Sequence, residues 1–424
     1  MPSQGSPSNT TGAAGGSFRL SSFVLPFYIP AFISATGAAM VMPVLPLYAR
    51  SLGAGITVTG VVVAMFGLGT LVLNAPAGFA ISRFGKKRAM VLSLVIESLF
   101  AVLAGLAANP YTLGVAVFGL GAIHSVFFIA RLTYFRELVP TAQRGRALAL
   151  LGGESRFGSF IGPIIGGFVA AGLGFGSAFF GHAIASVVVM VFVVIWVPPD
   201  PARSLRADRS AATAPRVASL ARVSAILREN LSIFATAGSA IIVLQLLRAG
   251  RKVIFPLWGD AIGLDVAQIG MIFGIMFAVE TAVVYPAGII MDRFGRKRAA
   301  VPCMVIVSLS LAILPLTASF LSMLAVAVVS GLGNGLGSGI NMTLSTDYAP
   351  KKNPGEFIGV WRTIVDTGST AGPVVIGSIA DVFTLGASPV VIAAIGVVGA
   401  AIMQFTAKET LVREPTARHD APLP

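Results

Sequence analysis

Residues Gly78–Arg88 read GFAISRFGKKR, and residues Gly288–Arg298 read GIIMDRFGRKR. Each copy ends a long apolar run in a cluster of bases, and the two stand 288 − 78 = 210 residues apart. The same offset aligns Pro46-Leu47 with Pro256-Leu257, Gly60 with Gly270, Pro76-Ala77-Gly78 with Pro286-Ala287-Gly288, and Glu137 with Asp347. It also aligns Pro140 with Pro350, and Gly158, Gly162 and Pro163 with Gly368, Gly372 and Pro373. A register held this long means a duplicated unit. Parallel repeats of this kind place a binding site at their interface, near the middle of a bilayer, and move by rocking one half against the other.

Composition gives the solvent. Of 424 residues, 55% are hydrophobic and 11% are charged, with a mean hydropathy of +0.87. The apolar runs are long enough for membrane helices and too long for barrel strands. They predict twelve spans, at about 23–49, 57–81, 89–108, 111–138, 146–171, 176–197, 231–258, 266–291, 299–318, 320–348, 356–380 and 388–407. The fold class expected is therefore an all-α polytopic membrane protein of two six-helix pseudo-symmetric halves. Its expected divisions are a disordered tail at 1–21, a first half at 22–197, a linker at 198–229, a second half at 230–407 and a tail at 408–424. Nothing resembles a cleavable signal peptide.

The formal net charge of +13 raises the question of nucleic acid, but the bases stand in loops between apolar runs. The loops after spans two, four, six, eight and ten carry Arg83, Lys86, Lys87 and Arg88; Arg144 and Arg146; the linker arginines; Arg293, Arg296, Lys297 and Arg298; and Lys351 and Lys352. The loops after spans three, five, nine and eleven carry none. This is the positive-inside pattern, and it predicts a multi-pass cell (cytoplasmic) membrane protein, of a bacterium, with both termini cytoplasmic and no nucleic-acid partner. The single Cys303 excludes a disulfide framework, and no metal spacing, nucleophile elbow or phosphate loop is present, so neither a metal nor a catalytic group is expected.

The chain resembles the major facilitator superfamily from Phe23 to Ala407. The resemblance rests on Gly78, Arg83, Gly85, Lys86 and Arg88 after span two, with Gly288, Asp292, Arg293, Gly295, Arg296 and Arg298 after span eight. Span five reads Gly158-x-x-x-Gly162-Pro163-x-x-Gly166-Gly167, similar to the antiporter motif of the drug:proton antiporter branch. Small residues at that spacing let helices approach closely, and Pro163 removes a backbone hydrogen bond. The partial copy at Gly368, Gly372 and Pro373 assigns part of this motif to the repeat itself. The family's span-four motif normally places an arginine near the position of Phe118, whereas the intramembrane arginine here is Arg131.

Ionisable residues inside spans cost about 2.5 to 3.5 kcal/mol each at the bilayer centre unless paired or hydrated, so each is a functional candidate. Arg131 and Glu154 lie at matched depth, about 12 Å from the basic face, in antiparallel neighbours, and their repeat equivalents Asn341 and Ile364 are neutral. That pattern predicts a buried pair. Arg156 and its equivalent Asp366 carry opposite signs, and Arg362 precedes Asp366 by one helical turn. Glu280 has no partner at helical spacing in its own span and stands out as the leading proton or cation site, with a partner in another span, such as Arg248, as the alternative. Glu154, Asp366 and His124 are the other proton-coupling candidates. Arg248, Arg251 and Lys252 read either as an anion site or as bases snorkelling to the outer interface and pairing with Asp260 and Asp265.

The first loop has Ser82 where the second has Asp292. In the family, the acid of this loop lies by the start of a helix in the opposite half. The resemblance thus implies that Ser82 meets Glu356, at the start of span eleven, and that Asp292 meets Arg146, at the start of span five, as two versions of a gating latch. As a whole, the resemblance implies a secondary transporter, proton-coupled and exporting small amphipathic or drug-like compounds by alternating access. It needs no cofactor, draws on the proton gradient, has the small-molecule substrate and the lipid bilayer as partners, and works as a monomer. A specific metabolite or organic-anion carrier of the same fold is the alternative, and a membrane receptor or membrane-embedded enzyme a remote one.

Overall fold

The computed structural model describes residues 23–140, 143–200, 220–351 and 354–411. The expected tail at 1–21, residues 412–424 of the other tail and linker residues 201–219 lie outside the described residues. Within them every regular element is a helix. The first half comprises α1 (Val24–Ser51), α2 (Ile56–Phe84), α3 (Lys86–Gly105), α4 (Pro110–Leu138), α5 (Arg144–Leu173) and α6 (Gly176–Trp196). The second comprises α7 (Leu231–Ala261), α8 (Val266–Phe294), α9 (Lys297–Leu316), α10 (Phe320–Asp347), α11 (Pro354–Val382) and α12 (Ala387–Phe405). A linker helix, Leu220–Glu229, precedes α7 and buries Ile226 against the second half. Eleven of the described helices are long and apolar enough to cross a membrane; α11, which carries Glu356, Arg362, Asp366 and Asp381, is not among them.

Local sequence explains the turns. Gly85 and Gly295 hold φ of +87° and +109°, so α2 passes to α3, and α8 to α9, within a residue or two. A side chain is disfavoured in that conformation, which is why both copies of the loop carry glycine there. The duplication also recurs as a π-helical turn at Val24–Tyr28 and again, 210 residues on, at Phe234–Gly238. Two breaks escape the hydropathy pattern. The first interrupts α1 between Val41 and Val44, and the second takes α10 out of helix from Gly337 to Gly339, where Gly339 has φ of +83°. At the equivalent position, α4 runs straight through Phe127–Ile129.

Helix packing in lipid depends on close van der Waals fit, because lipid tails are as apolar as the side chains. The glycines of α5 supply it: a Cβ on Gly158 would stand 2.8 Å from Phe32 O, and one on Gly162 2.6 Å from the Ala39 Cβ, both of α1. Gly372 of α11 lies in the same way on Leu246 of α7. The antiporter-like motif therefore packs helices within a half in both repeats. Its last residue, Gly167, faces α8 of the other half. The halves join along two seams, α5 on α8 and α2 on α11. At the α8 start, Asp265 caps the helix in a reciprocal box with Gln268, whereas the equivalent residue at the α2 start is Gly55, which has no side chain to offer.

Candidate functional site

On the face opposite the basic loops both seams are closed. A Cβ on Gly167 would stand 2.7 Å from Val266 O and 3.0 Å from the Gly270 Cα, and one on Gly377 would stand 2.7 Å from Ile56 O of α2. Asp381, near the end of α11, accepts a hydrogen bond from the Thr57 backbone N–H at the start of α2, at 3.0 Å. On the basic face no glycine of these four helices is seated on the other half in this way: a Cβ on Gly78, Gly152, Gly153, Gly288, Gly355 or Gly359 would meet nothing within 4 Å. The bundle is shut at one end and open at the other.

Between these ends, the second half holds a buried charge cluster. Glu280 of α8 is not the lone carboxylate expected: its Oε2 accepts from Arg251 Nη2 of α7 at 2.5 Å. Helical spacing within one span could not reveal this partner, because it comes from the neighbouring helix. Arg251 is 1% exposed and lies over the Phe277 ring at 5.8 Å. Arg248 donates through Nε to Asn334 Oδ1 (2.7 Å), through Nη1 to Gln245 Oε1 (3.2 Å) and through Nη2 to Gly337 O (2.8 Å). These arginines therefore point into the bundle, and neither snorkels nor pairs with Asp260 or Asp265. From the first half, Arg156 of α5 donates to Ser338 Oγ at 2.9 Å, one residue from the Gly337 carbonyl that Arg248 holds. Arg362 and Asp366 lie 3.6 Å apart along α11.

In the first half Arg131 is buried and stacked over Phe127 and Phe128, at 5.4 and 5.6 Å. It forms no ion pair with Glu154 within 4 Å, which corrects the expected direct contact. Arg131 Nε and Glu154 Oε1 are each buried without a hydrogen-bond partner among the described residues. The physical reason is packing: α4 and α5 are neighbours in sequence but not in the bundle, α4 lying on α2 and α3, and α5 on α1 and α8, so the Arg131 charge is shared through space with two carboxylates, Glu154 and Glu97.

Glu97, 1% exposed in α3, is a residue that sequence reasoning missed. Its Oε1 lies 3.0 Å from His124 Nδ1 of α4 and 3.3 Å from His182 Nε2 of α6. His124 was expected as a candidate on its own; Glu97 and His182 were not. The signal was available, because all three lie at least eleven residues from the basic-face ends of three different spans, two of which pack on the third. Glu97 Oε2 and His182 Nδ1 have no hydrogen-bond partner among the described residues.

The basic loops tie each half to itself. Lys86 pairs with Glu137 at 3.1 Å, and their equivalents Arg296 and Asp347 lie 2.9 Å apart. Asp200 accepts from the backbone N–H groups of Lys86 and Lys87 at the start of α3, and Glu409 from those of Arg296 and Lys297 at the start of α9. Burial pushes the Glu409 carboxyl up, but the backbone N–H groups of Arg296, Lys297, Leu411 and Thr410 outweigh it and hold the group below the usual carboxylate range. The expected latch is not made. Asp292 lies 3.4 Å from Arg296 of its own loop, Arg146 has no ion pair among the described residues, and Ser82 donates to Phe79 O of its own helix. The helix ends that would meet are the ones that stand apart on the open face. Arg83, Arg88, Arg293 and Arg298 are exposed there.

Twelve membrane helices in two repeated halves, closed on one face, with ionisable groups buried in the middle, define a membrane transport protein. A family model described as the Major Facilitator Superfamily matches residues 27–250 and 239–424. The chain belongs to this superfamily, which is one of transporters and not of enzymes. Multidrug resistance protein 2 of Bacillus subtilis (strain 168) is 29% identical over 172 residues, 39% of this chain and 41% of the relative. The matched stretch thus spans about two-fifths of that relative. An uncharacterized MFS-type transporter of Methanocaldococcus jannaschii is 21% identical over 371 residues, 86% of this chain and 92% of the relative. Among solved structures, the nucleoside transporter NupG matches with a TM-score of 0.71 at 15% identity, over 92% of this chain and 100% of that one. At that identity the likeness is one of fold.

Proposed function

We propose that this chain exports small amphipathic compounds across the cell membrane of a bacterium in exchange for protons, as a monomer whose basic face is cytoplasmic. The observation that carries the coupling is the buried cluster of Glu97, His124 and His182. A neutral imidazole has one N–H, and here each ring directs the nitrogen nearest Glu97 at the same oxygen, Oε1. With both hydrogens so used, Glu97 Oε2 and His182 Nδ1 remain bare acceptors and the cluster carries one negative charge inside the bundle. Its charge and its two unused acceptors, deep in the bundle, make it our candidate for the group that takes up the coupling proton. Glu154 shares the field of Arg131 with Glu97 and is the second acid of this half. The names of relatives such as the multidrug resistance protein of Bacillus subtilis support export of drug-like compounds.

The test is transport in proteoliposomes. Reconstituted protein is given a panel of hydrophobic dyes under an imposed pH gradient, beside dye counterflow at equal pH on both sides. Glu97→Gln should lose gradient-driven accumulation and keep counterflow. Unchanged gradient-driven transport in Glu97→Gln refutes the coupling site, and no movement of any dye by the unaltered chain refutes the drug-like substrate class.

A further inference from the structure

Three cations near the centre of the molecule lack an acid. Arg248 and Arg156 reach consecutive residues, Gly337 and Ser338, in the segment where α10 leaves the helix. One comes from each half, and each stands roughly 20 to 25 Å from the outer end of its own helix, within the hydrocarbon thickness. Among the described residues no carboxylate lies within 4 Å of either guanidinium. Glu280, the acid whose field reaches Arg248, is committed to Arg251. Lys252 follows half-buried, coupled to Arg248 and Arg251 as like charges and to Glu280 alone as the opposite one.

A guanidinium has five N–H donors. Three of Arg248's meet neutral oxygens and one of Arg156's does. Arg248 also meets the Cys303 sulfur, so at most two donors remain on one side, and four on the other. Neutral oxygens hold a guanidinium in place but do not offset its charge, and a cation this deep in a bilayer is unfavourable without an anion or water. Irregular backbone at membrane depth is tolerated where it is buried in protein or lines a cavity, and discontinuous helices form many transporter binding sites.

We propose that Arg156 and Arg248, with Lys252 beside them, form a site for the anionic end of the transported compound, an organic carboxylate or phosphonate with an apolar remainder. This inference rests on the transport reading and names its substrate class. The anion bridges one arginine from each half, so its binding draws α5 and α7 together across the gap and couples loading to the movement of the halves. Gly337 is tightly packed there, since a Cβ would run into the Cys303 sulfur and lie 3.0 Å from Arg248 Nη2.

The experiment uses four water-soluble probes that share one ring: benzylphosphonate, phenylacetate, benzyltrimethylammonium and benzyl alcohol. Binding to the purified full chain is read as the dose-dependent rise of its thermal unfolding midpoint. The two anions should bind, the cation and the alcohol should not, and Arg156→Gln or Arg248→Gln should weaken benzylphosphonate at least tenfold. Arg156→Lys and Arg248→Lys keep the charge and lose the planar fork, so they should show an intermediate loss even where the glutamine variants fail to fold. Equal or tighter binding of benzyltrimethylammonium overturns the site, and so does benzylphosphonate affinity left unchanged by all four variants. Absence of anion binding beside intact dye export removes the anion site and leaves the export reading in place. Anion binding with no transport of any compound does the reverse.

Discussion

Gly167→Ala should move the protein between its two end states. In the state described here a Cβ at that position stands 2.7 Å from Val266 O and 3.0 Å from the Gly270 Cα, closer than real Cβ atoms approach backbone, so α5 and α8 must separate by several tenths of an ångström. Overpacking of this kind costs about 1 to 3 kcal/mol. The penalty falls on the state in which this seam is shut, because opening the seam removes the clash. The equilibrium then shifts by about 5- to 150-fold toward the state open on the opposite face. Spin labels at Tyr111 and Leu316, exposed at that face on different halves, report the change as a longer interlabel distance in a Cys303→Ala background. Gly162→Ala is the control: its Cβ would press on Ala39 within one half, so it should lower thermal stability with no change in the distance distribution. The reasoning is refuted if Gly167→Ala leaves the distances where the unaltered protein has them, or if the two substitutions give the same shift.

Two further outcomes follow from the charge networks. Glu280→Gln leaves Arg251 buried without its carboxylate and should destabilise the protein by about 3 to 5 kcal/mol, while Glu280→Gln combined with Arg251→Gln recovers part of that loss; thermal unfolding of the three variants decides it. Glu409 has its folded-state value depressed, so its contribution is present above the ordinary carboxylate value near 4.5 and is lost as pH falls through the lower, folded-state one. Glu409→Gln should therefore lower stability by about 1 kcal/mol or less at pH 7, because the group is largely solvated, and should flatten the loss on acidification in an unfolding series from neutral to acid pH.

Apolar periodicity and the 210-residue register were enough for twelve spans and two halves, since both signals come from the bilayer and from duplication, and neither depends on tertiary detail. The α10 break was missed. Its signal was compositional and not hydropathic: Gly331, Gly333, Gly335, Gly337 and Gly339 stand at alternate positions, with Asn334, Ser338 and Asn341 among them, and a pattern read only for long apolar spans passes over it. Partners across helices were the other blind spot. The Arg362 and Asp366 contact lies on one helix and could be read from spacing, whereas Glu280 with Arg251, and Glu97 with two histidines, required knowing which helices touch. The latch expectation shows a third kind of limit: a sequence carries contacts of every state at once, and this structure is one state.

The borrowed cap on α2 gives the two edges of the closed face different characters. Where α5 meets α8, the joint is bare glycine against backbone, and α8 has its own Asp265, so nothing there answers to the composition of the medium. Where α2 meets α11, the joint includes an exposed carboxylate, Asp381, on the first peptide groups of a helix that has no side chain of its own for the purpose. Ions in the surrounding solution screen such a contact and leave dispersion untouched. The door is thus hung asymmetrically: salt on the closed side loosens one edge and not the other, and the first crack to open on that face runs between Thr57 and Asp381.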